Sequence, residues 1–175
     1  PVPAAQPSAT PSVTRAEPPP PAPSAAELSG GMRARIAVLR DALAGAVGCA
    51  DTCCLDPTLG VLDAAPSPRD SQDLAALVAS DADAATRAVA ARMLRWTHDL
   101  SVLAAIDACL DSREPGPPLP QIFVGQGFAP CPGAVGRQRS TVGWEAAPLA
   151  DVCLETAGYV TARFLSRDEY LAWRS

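Results

Sequence analysis

The stretch that decides the fold is Ser71–Ser112, which reads SQDLAALVASDADAATRAVAARMLRWTHDLSVLAAIDACLDS. Its large apolar residues recur three and four positions apart, which is the spacing of an amphipathic α-helix. Short polar joints at Asp81–Asp83 and at His98–Asp99 divide it, and acidic residues at such joints are good helix caps. The stretch therefore predicts three consecutive helices, at about 71–79, 84–96 and 100–110.

The same apolar spacing predicts helices near both ends of the chain. One spans about 31–47 and carries on a single face Met32, Ile36, Leu39, Leu43 and Val47. Another spans about 148–160 and would face inward with Val152, Cys153, Ala157 and Val160. Ser166 and Glu169 have the spacing of a capping box, which predicts a short final helix. We expect the core faces to include Trp96 and, at the end of the chain, Phe164, Tyr170, Leu171 and Trp173.

Residues 1–28 have the composition of a disordered tether. They are rich in Pro, Ala and Ser and contain too few large apolar residues to offset the entropy of ordering. Pro18–Pro21 favours polyproline II, which makes a semi-rigid spacer, and a Pro run of this kind is alternatively a ligand for a Pro-binding module. Because residue 1 is Pro, we expect a processed chain whose targeting signal lies upstream.

An insertion, residues 111–147, interrupts the helical pattern. Its Pro- and Gly-rich part, residues 111–143, is too long for an ordinary connection and contains one extended candidate, Gln121–Val124. Long ordered insertions usually carry function, so we predict the partner contact here. The candidate contact residues are Phe123, Phe128, Arg137 and Arg139.

Two segments resemble bacterial HEAT-like helical repeats: LAALVASDADAATRAVAARMLRW within 71–112, and DVCLETAGYVTARFLSRDEYLAWRS within 146–175. In the first, Asp83 precedes the second helix and Arg87 lies within it. Gly158, inside the last long helix, departs from the pattern. The resemblance implies an all-α fold, a short α-solenoid of stacked helical hairpins over residues 29–175. It also implies a broad surface that binds another protein.

Six cysteines lie along the chain, an even number that is typical of a disulfide-bonded exported protein. The candidate disulfide residues are Cys49, Cys53, Cys54, Cys131 and Cys153, while Cys109 is expected to widen a core face. One alternative is reduced thiols packed as small apolar residues. Another is a zinc site of Cys49, Cys53 and Cys54 with His98, although adjacent cysteines rarely bind one metal together.

Charge and motifs limit the function classes. The net charge of −5 is spread along the chain without a basic patch, which argues against nucleic acid as a partner. No apolar run is long enough to span a membrane, and no phosphate-binding glycine loop or other cofactor motif is present. We therefore predict a non-enzymatic protein-binding or scaffolding module without a cofactor.

The predicted location is outside the cytoplasm, in the periplasm or cell envelope, with a lipid or membrane anchor expected upstream of residue 1. Two alternatives stay open. One is a small cysteine-dependent hydrolase or redox protein that uses His98 with Cys54 or Cys131. The other is a structural subunit of a larger assembly, in which the Pro-rich segment wraps a neighbour.

Overall fold

Helices and one small sheet make up residues 30–123 and 140–175, the part of the chain that the computed structural model describes. In chain order the elements are α1 (Gly30–Ala46), α2 (Asp56–Leu62), α3 (Pro68–Ala79), α4 (Ala84–Met93), α5 (Leu103–Cys109), β1 (Pro115–Phe123), β2 (Thr141–Pro148), α6 (Leu149–Thr161) and α7 (Arg167–Arg174). Two 3₁₀ turns, Leu94–Trp96 and Leu100–Val102, lie between α4 and α5. All the predicted helices are present within a few residues of their expected bounds, and α2 was not predicted.

The core lies between α3, α4, α5 and α6, where α3 packs on α4 and α5, and α6 packs on the same two helices. Helix α1 covers α4 with Met32, Ile36, Leu39 and Leu43, all of them buried as predicted. Burial of each such side chain stabilises the fold by about 1.5–3 kcal/mol. Val47, the last residue of the predicted stripe, is exposed because α1 ends at Ala46 and the chain turns at Gly48, whose φ is 97°.

Polar caps fix where the helices begin. Ser67 accepts a hydrogen bond from the backbone N–H of Asp70 at 3.2 Å, and Asp83 accepts one from that of Thr86 at 2.9 Å. At α7 the predicted capping box is confirmed, because Ser166 and Glu169 each accept from the other's backbone N–H. Such caps satisfy N–H groups that have no partner within the helix, and each contributes about 1 kcal/mol.

We expect the free energy of unfolding to fall as the pH is lowered below about 4, because cap carboxylates are ionised in the folded state. The backbone N–H of Thr86 is the main cause of the lowered pKa of Asp83, and the Ser101 hydroxyl lowers the pKa of Asp99. A carboxyl with a lowered folded-state pKa stabilises the fold above its unfolded-state pKa. That stability is lost as the pH falls through the folded-state pKa.

The test is urea unfolding of the wild type and of Asp83→Asn between pH 7 and pH 3. Asn is an equally good cap but does not titrate. The variant should therefore be less stable than the wild type at neutral pH, lose less stability on acidification, and approach the wild type only toward pH 3. Identical pH profiles for the two proteins would contradict a role for the Asp83 charge.

The all-α prediction is wrong, since β1 and β2 form an antiparallel sheet within the predicted insertion. Pairing runs from Pro115 opposite Pro148 to Phe123 opposite Thr141, with an irregularity between Pro115 and Pro118. At that irregularity Gly116 lies so close to β2 that a Cβ would be 2.4 Å from the carbonyl oxygen of Ala147. The sheet therefore fills the predicted insertion, and the fold is mixed rather than a stack of helical hairpins.

Residues 49–52 extend this sheet on the far side of β2. The backbone N–H of Thr52 donates to the carbonyl of Ser140 at 2.9 Å, and that of Val142 donates to Ala50 at 3.0 Å. The indole N–H of Trp144 donates to the carbonyl of Cys49 at 3.0 Å. The segment after α1, read from the sequence as a loop, is thus attached along β2.

Two disulfides are present in the described part of the chain. Cys49–Cys54 closes the segment that lies along β2, and Cys109–Cys153 joins the end of α5 to α6 in the core. Both Cys109 and Cys153 are buried, so Cys109 does lie on a core face as predicted. Its disulfide bond to Cys153 was not predicted from the sequence. No helix among the described residues is long and apolar enough to cross a membrane.

Candidate protein-binding surface

The residues predicted to contact a partner lie at or beyond the end of β1. Phe123 is the last residue of β1, where its backbone pairs with Thr141. Phe128, Arg137 and Arg139 fall outside the described residues, as does Cys131. The predicted contact of the insertion with a partner stays a prediction.

The residues of the zinc alternative are not brought together as ligands. Cys49 and Cys54 are bonded to each other, so neither offers a thiolate to a metal. His98 lies in the exposed segment after α4. There it lines a separate cavity, together with Asp63, Thr97 and Tyr159. Within residues 30–123 and 140–175, no group of three or more His, Cys, Asp or Glu side chains could hold a metal ion.

An exposed row of aromatic rings is the most distinctive surface feature. It consists of Trp96, Tyr159 and Phe164, and we call these three residues the aromatic row. The ring centroids of Trp96 and Tyr159 are 5.7 Å apart, and those of Tyr159 and Phe164 are 5.1 Å apart in an edge-to-face arrangement. Their exposed fractions are 42% for Trp96, 37% for Tyr159 and 69% for Phe164. Three large rings therefore contact one another while facing solvent.

The end of α6 positions Phe164 in this row. Ala162 adopts a left-handed conformation, with φ of 54°, and the backbone N–H of Arg163 donates back to the carbonyl of Gly158 at 2.9 Å. This turn lays the ring of Phe164 on the helix at Gly158. A Cβ at Gly158 would be 2.7 Å from Cδ1 of Phe164, so the absent side chain leaves the room that the ring occupies.

A buried arginine supports the middle of the row. The guanidinium of Arg95 lies 4.8 Å from the ring centroid of Tyr159, and it forms an ion pair with Glu155. Only 3% of the Arg95 side chain is exposed. A cation over the ring face is attracted by the quadrupole of the ring, and the ion pair fixes the guanidinium in place. Tyr159 is therefore held from below rather than free to rotate over the surface.

The pKa of the Glu155 carboxyl is subject to opposing effects. Burial raises its pKa above the ordinary value and the Glu145 carboxylate adds to the rise, whereas Arg92 lowers it. The direct contact with Arg95 favours the ionised form, so the pair is matched in charge at neutral pH. A second buried arginine, Arg92, pairs with Asp63 at 3.2 Å on the same side of the domain.

A cavity of about 320 Å³ opens beside the row. Its walls include Trp96, Tyr159, Arg95, Asp63 and His98. It is thus aromatic on one side and polar on the other, which suits a ligand segment that carries both apolar rings and backbone carbonyls. The larger cavity, about 560 Å³ between α1 and α2, is lined by small aliphatic residues such as Val38 and Val61 and has no aromatic wall.

Trp96 and Phe164 were predicted on core faces, and their exposure shows that this prediction is wrong. Trp173 and Leu171 are also 40% exposed, and of the four residues predicted on core faces at the end of the chain only Tyr170 is buried. Trp96 leaves the core face because α4 ends at Met93 and a 3₁₀ turn follows, which changes the angle between successive side chains. Gly158 was the available signal, since a glycine within a helix often marks a close approach.

Comparison with protein-family models, with curated proteins and with solved structures finds no match to this chain. The resemblance of its helices to HEAT-like repeats therefore receives no support from known relatives.

Proposed function

We propose that this chain is a non-enzymatic protein-binding module of an exported protein, and that the aromatic row is its contact surface. The observation that supports this most directly is the exposure of three rings in a row, with Tyr159 packed against both Trp96 and Phe164. Tyr and Trp are enriched among the residues that dominate binding energy at protein interfaces, and an exposed apolar cluster is a common mark of such a site. The partner would be another protein and not nucleic acid, given the net charge of −5.

The support under the row favours tight binding. A ring that is already held in its bound position loses little conformational entropy when a partner covers it. Arg95 holds Tyr159, and the edge-to-face contact with Tyr159 orients Phe164. Because each exposed ring presents a large apolar face, covering the row would remove it from water at little ordering cost.

The disulfides favour a location outside the cytoplasm for this protein. Disulfides persist in oxidising compartments such as the periplasm or the cell surface and are rare in the cytosol. Two are present in the described residues. In this proposal residues 1–28 act as a spacer from an upstream anchor in the cell envelope, and the module meets its partner there.

The proposed surface can be tested by capturing partners from a cell-envelope extract of the source organism with full-chain protein. Phe164→Ala should remove a ring that is 69% exposed without unfolding the domain, and should lower partner retention about 30-fold if it is a dominant contact. Gly158→Ala displaces the same ring while leaving it in the chain, so it should also weaken retention.

Val38→Ala is the matched control, since Val38 is 71% exposed but lies on α1 in the groove with α2. It should retain partners as the wild type does. Thermal melting of each variant shows that the domain is folded. If Phe164→Ala and Gly158→Ala keep every partner that the wild type captures, the aromatic row is not the contact surface.

A further inference from the structure

We propose that the aromatic row and the cavity beside it bind the Pro-rich segment of the same chain, residues 17–23, in a polyproline II conformation. This inference rests on the proposed function in that it uses the same surface, and it names the chemistry that the surface recognises. The segment reads EPPPPAP and is the longest proline run in the sequence. The same-chain segment would then compete with an external partner for the row.

The surface has the features that polyproline II recognition needs. Proline rings pack on aromatic faces that lie side by side, and the exposed carbonyls of the ligand accept hydrogen bonds from donors along the groove. Here the rings are spaced by 5.7 Å and 5.1 Å.

A donor for the ligand carbonyls is also in place. The indole N–H of Trp144 donates a hydrogen bond to the carbonyl of Cys49. The indole N–H of Trp96 has no acceptor in the described part of the chain. Trp96 thus offers a proline-stacking face and an unused donor at one edge of the cavity, where a carbonyl of residues 17–23 would accept.

The Pro-rich segment precedes α1, and the early part of α1 is linked to the row by contacts. Arg35, in the second turn of α1, pairs with Asp70 at the start of α3 at 3.3 Å. The next residue, Ser71, shares a hydrogen bond of 3.1 Å with Thr97, which adjoins Trp96. Contacts thus lead from the beginning of α1 to the row through two residue pairs.

The chain between the segment and α1 is a short tether. Residues 24–29 separate Pro23 from Gly30, and at about 3.3 Å per residue they reach roughly 20 Å when extended. A tether this short gives an effective concentration on the order of millimolar, so weak intrinsic binding is sufficient for the docked state to be populated. The preformed geometry of a proline run further lowers the entropy lost on docking.

The inference is tested with full-chain protein in which Pro18, Pro19, Pro20 and Pro21 are all changed to Ser. The three tryptophan indole N–H signals are compared with those of the wild type by ¹⁵N NMR. We expect the signal of Trp96 to shift in the variant. The signal of Trp144, whose indole N–H is hydrogen-bonded to the carbonyl of Cys49, should keep its position. A synthetic peptide of residues 15–24 added to the variant should move the Trp96 signal back toward its wild-type position.

Three controls make the test specific. A peptide with the four prolines replaced by Ser should have no effect. Phe164→Ala combined with the Ser variant should weaken the response to the proline peptide at least several-fold. The wild-type spectrum should not change on dilution, because docking within one chain is independent of concentration.

Three results would overturn the proposal. The first is a Trp96 signal that is identical in the wild type and the Ser variant. The second is a shift that depends on concentration, which would assign the occupant to a second copy. The third is a set of NMR shift changes centred on Val38 and Val61, which would place the segment in the groove between α1 and α2.

The outcome for the proposed function is read separately, from partner capture. If the Ser variant leaves Trp96 unchanged while Phe164→Ala still loses its partners, the contact surface stands and the same-chain ligand fails. If Trp96 responds as expected while Phe164→Ala keeps its partners, the row binds the chain's own segment and the proposed partner surface fails. If both hold, the Ser variant should capture several-fold more partner than the wild type, because its row is free.

Discussion

Replacing both Cys109 and Cys153 by Ala is expected to lower the free energy of unfolding by about 4 kcal/mol, because their disulfide restricts a long loop in the unfolded chain. The bonded residues are 44 positions apart, and the entropy that a cross-link removes from the unfolded state grows with the length of the loop it closes. Domains of this size are stable by about 5–15 kcal/mol, so the loss is a large part of the total.

The matched control is the double change of Cys49 and Cys54 to Ala. These residues are only 5 positions apart, and the same relation gives a loss of about 2 kcal/mol. Both variants should be unfolded in guanidinium chloride beside the wild type at one pH. Equal losses in the two variants would show that loop length does not decide the stabilisation, and a negligible loss for the Cys109 and Cys153 variant would show that this cross-link is dispensable.

Glu155→Ala is expected to lower the free energy of unfolding by about 3 kcal/mol at pH 7.5, since it leaves the charge of Arg95 buried without its partner. Only 3% of the Arg95 side chain is exposed, against 36% for Glu155. The Nε atom of Arg95 is already buried without a hydrogen bond. Removing the carboxylate therefore leaves the buried charge of Arg95 uncompensated, in a site that already lacks a hydrogen-bond acceptor for Nε.

Two further variants show whether burial is the reason. Asp111→Ala breaks the pair of Arg167 with Asp111, whose side chain is 86% exposed, and should cost less than about 1 kcal/mol. Arg95→Met combined with Glu155→Leu removes both buried charges together and should lie much closer to the wild type than Glu155→Ala does. A double variant as unstable as Glu155→Ala would show that packing at this position, rather than the unpaired charge, determines the effect.

The helices could be predicted from the sequence because their signals are local. Ile36 and Leu39 lie on one face by spacing alone, and Ser166 with Glu169 caps α7 through contacts three residues apart. Of the sheet, only the end of β1 could be predicted, since Gln121–Val124 has an extended pattern and its residues 121–123 lie in β1. The four prolines of β1 are instead typical of a chain without regular structure. The pairing of Cys109 with Cys153 depends on how α5 and α6 pack, which no local pattern records.

The aromatic row depends on single backbone turns. Trp96 faces solvent because a 3₁₀ turn follows α4, and Phe164 because Ala162 adopts a left-handed conformation. An alanine carries no signal for that conformation, so the sequence places Phe164 on the core by default. The glycine at position 158 shows in retrospect where the ring packs, and it was also the residue that departed from the repeat pattern.

The segment at residues 49–52 and the prolines of β1 limit strand pairing along parts of both edges of this sheet. On the β2 side, backbone groups are already bonded to Ala50 and Thr52. On the β1 side, Pro117, Pro118 and Pro120 have no N–H to donate. Strand addition is therefore hindered along these residues, which lowers the tendency of the sheet to aggregate edge to edge. At these residues a partner meets side chains rather than a free backbone edge.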